Sequence, residues 1–148
     1  LPPNLQQVTR RAGTIFAGKV TSITPIRATA SDQVESVEVT FQVEQAIRGV
    51  RVGQMLSIRE WAGLWSPGER YHVGERLMLF LYAASKIGLT SPVGGPAGRL
   101  AVDKDGRVQL SRLQAQGARA MPAPVRIDSD RRAPLRDFTR AVRRMALE

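Results

Sequence analysis

The chain contains no cysteine. That removes disulfides, thiolate metal sites and cysteine nucleophiles together. It leaves the compartment open, because a domain of 148 residues can stand outside a cell without staples. Histidine is nearly as scarce, His72 being the only one. A Ser-His-Asp arrangement would need that imidazole as its base, yet it lies between Tyr71 and Val73 with no nucleophile elbow beside it. Zinc normally takes three or four ligands, usually several His or Cys, so no metal site is expected. No apolar run approaches the roughly 18 residues that cross a bilayer, so no membrane span is expected either. The glycine-rich stretch 91–98 lacks the Gly-Lys-Ser/Thr of a phosphate loop.

The carboxylates do not restore a catalytic reading. Glu60, Glu69 and Glu75 are the loop acids available for paired-carboxylate chemistry, and each has an arginine beside it, Arg59, Arg70 and Arg76. Such neighbours suggest surface ion pairs, which keep an acid ionised. Asp103, Asp105 and Gly106 resemble the start of a calcium loop, but the later acid is missing. A hairpin turn explains them. No catalytic residue, metal or cofactor is expected.

What is present is a chain of ordinary globular balance, 43% apolar and 24% charged. Its length favours one domain, large enough to bury roughly 70% of the surface of its unfolded chain. The net charge of +9 comes from 19 Arg and only 3 Lys, a balance that favours anionic neighbours. The first residue is Leu1 rather than Met, so a processed product or a trimmed chain is expected, from which any export signal has already gone.

Residues 1–13 read as an N-terminal arm in which Pro2 and Pro3 oppose a regular helix. Residues 14–23 look like a first strand, and 25–35 like a polar connection. Val37, Val39, Phe41 and Val43 alternate with Glu38, Thr40 and Gln42, so one face of that strand is buried and the other wet. Residues 55–59 form another short strand. Residues 77–82 are apolar on both faces, as in a strand deep within a fold. Residues 99–110 read as a hairpin turning at 103–106. Five short strands in roughly 100 residues suggest a small barrel over 14–113. Residues 114–134, rich in Ala, Pro and Arg, read as an extended linker. A helix follows over 135–148, with Pro134 suited to its first turn. Leu135, Phe138, Val142 and Met145 share one face of it, and Arg136, Arg140, Arg143 and Arg144 the opposite one.

The runs IFAGKVTSI, VEVTFQVEQAIRGVRVGQMLSIRE and YHVGERLMLFLY, within residues 13–83, resemble netrin-like domains, the tissue inhibitors of metalloproteinases, and secreted bacterial proteins of similar layout. The resemblance implies a mainly β fold, a small OB-like five-stranded Greek-key barrel, here followed by a C-terminal amphipathic helix. It also implies an exported protein, extracellular or periplasmic. The inhibitors place an N-terminal cysteine on their target's metal. Leu1 stands at the terminus here, so that mechanism does not transfer.

Two surfaces and one segment emerge as candidate interaction sites. Trp61, Trp65 and Tyr71 share a loop with Arg59 and Arg70, and Trp, Tyr and Arg most often anchor interfaces. The simpler reading buries the indoles over a barrel mouth. The second surface is the helical stripe of Arg136, Arg140, Arg143 and Arg144, which suits an anion or solvent. Val125 and Ile127 lie in the extended stretch 122–127, able to pair with a neighbour's sheet edge. The function expected is a noncatalytic exported protein-interaction module, a structural subunit of a homomeric extracellular assembly, either filamentous or discrete. Binding of single-stranded nucleic acid or another anionic polymer is the alternative, but Phe16, Phe41 and Phe80 sit in core patterns rather than on a stacking face. Regulation of a secreted enzyme is a further alternative.

Overall fold

The computed structural model describes residues 2–31, 34–121 and 125–147. Its first element is α1 (Leu5–Arg11), where an arm was expected. Pro2 and Pro3 do not oppose it, because they precede the cap: the Asn4 side chain accepts from Gln7 N–H, and the Gln7 side chain accepts from Asn4 N–H. Leu5 and Val8 are then buried.

The long strands β1 (Thr14–Ile26) and β2 (Ser36–Arg48) form an antiparallel hairpin. β1 runs through Pro25, part of the expected connection. Its partner β4 (Arg76–Leu81) pairs only with residues 14–19, so the far half of β1 is an edge that tolerates proline. Then come β3 (Met55–Trp61), β5 (Arg99–Val102) and β6 (Arg107–Gln109). α2 (Arg112–Arg119) begins at the end of the expected barrel span and runs into the expected linker, which also holds β7 (Arg132–Pro134), leading straight into α3 (Leu135–Ala146). Ser111 and Gln114 make a second reciprocal capping box that starts α2. Pro122 and Pro124 lie outside the described residues, beyond the helix end.

Among the described residues the strands form one open antiparallel sheet in the order β3-β2-β1-β4-β5-β6-β7, rather than a closed five-stranded barrel. The reason lies in β4, the central strand. Leu77, Leu79 and Leu81 face one core with Phe16, Val39, Phe41 and Val43, while Met78 and Phe80 face another with Ile15, Ala17 and Leu100. A barrel buries one face of its sheet; here both need cover. The first face is enclosed by the curl of β2 and β3, whose outer edge reaches the segment after β4 where Thr90 N–H donates to Arg59 O at 2.9 Å. The second is covered by α1, α2 and α3 through Leu5, Val8, Ala115, Ala118, Phe138 and Val142. The alternation along β2 and the two-sided apolar run of β4 are as their sequences predict.

The β5–β6 turn and the turn before β7 share one design. Asp103 Oδ1 accepts from Asp105 N–H and Arg107 N–H, and Asp128 Oδ1 accepts from Asp130 N–H and Arg132 N–H, all at 2.9–3.0 Å. Each turn needs one residue in the left-handed region, Gly106 (φ 75°) in the first and Arg131 (φ 58°) in the second. Arginines brace the pair crosswise, Arg132 to Asp103 at 3.4 Å and Arg107 to Asp128 at 3.1 Å. The backbone bond from Arg132 is the foremost cause holding the Asp128 carboxyl below the usual carboxylate range.

Candidate interaction site

β3 ends on alternating residues. Glu60 points inward and is fully buried, whereas Trp61 points outward and is 54% exposed. A buried carboxylate must be matched by donors, and the following loop supplies them. Arg70 Nε donates to Glu60 Oε1 at 2.7 Å and Trp65 Nε1 to the same oxygen at 3.2 Å; Tyr71 OH donates to Oε2 at 2.8 Å. Tyr71 is fully buried, with its ring edge-on to Phe41 and the Arg99 guanidinium 4.5 Å from its centre. Burial, then the Glu60 charge, push the Tyr71 phenol well above its ordinary range. Burial works against the Arg70 charge, but Glu60 outweighs it and holds the guanidinium above its ordinary value.

These contacts latch residues 62–71 onto β3 and use the carboxylate inside the protein. Trp65 and Tyr71 belong to that latch, their rings 5.8 Å apart. Trp61 does not, so the three aromatic candidates separate. Its indole lies over Gly63, where a Cβ would come within 2.4 Å of the ring. Glycine is what lets the indole lie flat there. The aromatic run was legible in the sequence, but the inward role of Glu60 appears only once the strand alternation is fixed. His72, exposed, pairs with Glu69 at 3.0 Å.

The arginine candidates all lie on the outer side of α3. Arg136, Arg140, Arg143 and Arg144 are exposed. Arg140 comes to 4.0 Å from Asp137, and Arg143 donates to Ala46 O at 2.8 Å. Sequence reasoning missed that this basic surface continues onto the neighbouring helices, through Arg10 and Arg11 on α1 and Arg112 and Arg119 on α2, all exposed. It also missed Arg48. That half-buried side chain donates to Thr9 O (2.7 Å), Ala12 O (2.9 Å) and Ala146 O (3.2 Å), closing the carbonyl ends of α1 and α3 together. No local signal marks it, because its partners lie at two places far from it in sequence, the ends of α1 and α3.

Val125 and Ile127, expected to pair with a neighbour's sheet edge, turn their side chains toward this chain's own core. Val125 is buried in the helical-side core and Ile127 packs against it. Their apolar side chains are consumed at home. Among the described residues, no group of three or more His, Asp or Glu is placed to hold a metal ion, and no helix is long and apolar enough to cross a membrane. Comparison with protein-family models, with curated proteins and with solved structures finds no match to this chain.

Proposed function

We propose that the protein is a noncatalytic, exported protein-interaction module that associates with copies of itself through the outer edge of β3. The observation that carries this reading is the state of that edge. Arg59 O faces away from β2 and takes Thr90 N–H. By antiparallel alternation, Ser57 and Met55 turn their backbone groups the same way. They lie on an edge strand whose outward side chains include exposed Met55 and Trp61. An edge of this kind templates pairing with another strand. The opposite edge, β7, is three residues long and ends in Pro134, which blunts it. Export rests on the likeness of residues 13–83 to netrin-like domains.

Light scattering across a concentration series tests the association. The protein is expected to gain mass with concentration, and Met55→Lys, which sets a charge on the edge without touching the core, to stay monomeric. A monomer at every concentration contradicts self-association. Equal association by Met55→Lys moves it away from β3.

A further inference from the structure

The helical layer differs electrically from the sheet it covers. The three helices carry eight arginines against one acid, Asp137, and so supply most of the formal net charge of +9. All eight arginines are exposed. Like charge makes this layer a poor surface for meeting another copy of itself.

The same layer is not purely polar. Between the helices runs an open crevice of about 390 Å³, whose lining includes Leu5, Leu113, Ala120, Met121 and Met145. Its lining residues Gln116 and Ala120 share the outer side of α2 with Arg112 and Arg119, at spacings of three and four. On α1, lining residue Gln6 stands one turn before Arg10. Arg10, Arg112 and Arg119 thus stand within about a turn of residues that line the crevice, and guanidinium groups match phosphate oxygens in a planar fork. Nucleic acid would ask for stacking rings beside that charge, but the exposed aromatics, Trp61 and Tyr82, lie off the helices.

We propose that the helical layer docks peripherally on an anionic lipid bilayer, its arginines on the headgroup phosphates and its crevice receiving apolar chain from the outer leaflet. Basic residues near a membrane surface gain from its negative potential, and the apolar crevice adds a contact that survives salt. The contact is independent of the β3 edge.

Co-sedimentation of the full chain with vesicles tests this, using phosphatidylcholine alone or mixed with phosphatidylglycerol. The anionic vesicles are expected to bind at least about tenfold more protein, and the Arg112→Ser/Arg119→Ser double variant to lose about tenfold or more. Those positions are exposed, and unchanged circular dichroism verifies that the variant is folded. Met121→Ser is expected to weaken the binding that persists at high salt while leaving low-salt capture nearly unchanged. Absence of binding to anionic vesicles, or equal binding to neutral ones, overturns the proposal. So does tighter binding of a single-stranded oligonucleotide that the double arginine variant abolishes, which would make the surface a nucleic-acid site.

Discussion

Glu60 is the residue on which the loop depends. Its carboxylate has three donors and no contact with solvent, so truncating it leaves the buried Tyr71 OH without its acceptor and the partly buried Arg70 charge unpaired. Breaking a buried pair in this way costs about 3–5 kcal/mol. Arg70 keeps some solvent access, which places Glu60→Ala near the lower figure, about 3 kcal/mol, measurable by urea unfolding. Trp65 fluorescence should report release of the loop. Tyr71 gives a separate pH signature. Its phenol titrates higher in the folded protein than in the unfolded chain, so the folded form keeps a proton that the unfolded form loses above pH about 10. Stability is therefore full below that pH and falls above it, by up to about 1.4 kcal/mol per pH unit from this group. Tyr71→Phe should be less stable near neutrality, because Glu60 loses a donor, and should show a shallower alkaline decline. An identical alkaline slope in the variant would remove Tyr71 as its source.

At the scale of elements, Arg48 ties together pieces that are far apart in sequence. Arg48→Met keeps most of the side-chain length but removes the donors to three carbonyls at the ends of α1 and α3. A loss of about 2 kcal/mol is expected, since these are charge-assisted bonds at helix C-termini. Hydrogen exchange should speed up in α1 and the last turn of α3 while β4 stays slow. Uniform acceleration throughout would mean that Arg48 acts on the whole fold rather than on those junctions. The elements best announced by the sequence are those with a strong period: β2 by its alternation, β4 by its unbroken apolar run, and α3 by its apolar face. The two short helices are each announced by a capping box, Asn4 with Gln7 and Ser111 with Gln114, but prolines at 2, 3, 122 and 124 outweigh these local signals in a compositional reading. β7 has three residues, too few for any period, and exists because β6 offers it an edge.

For the whole molecule, the decisive feature is a sheet that buries both faces by different means. One face is enclosed by its own curling strands, and the other by three basic helices. A closed barrel was the natural expectation from the strand count and the resemblance. What overturns it is the supply of helices and a further strand from segments whose composition suggests arm and linker. The candidate site was half legible for the same reason: the aromatic loop and the α3 arginines are contiguous in sequence, whereas the full basic layer exists only once α1 and α2 are placed beside α3. The architecture turns the start of the β3 edge, at Met55 and Ser57, outward beyond the Thr90 contact at Arg59, and concentrates the charge on the helical side.

Hydrogen–deuterium exchange measured at low and high protein concentration puts the edge claim to its most direct test. The amides of Met55 and Ser57 should become protected as concentration rises, while β4 is slow at both concentrations and β7 is unaffected. If these two amides exchange at the same rate at every concentration, the β3 edge meets no second copy, and the proposed mode of association is wrong.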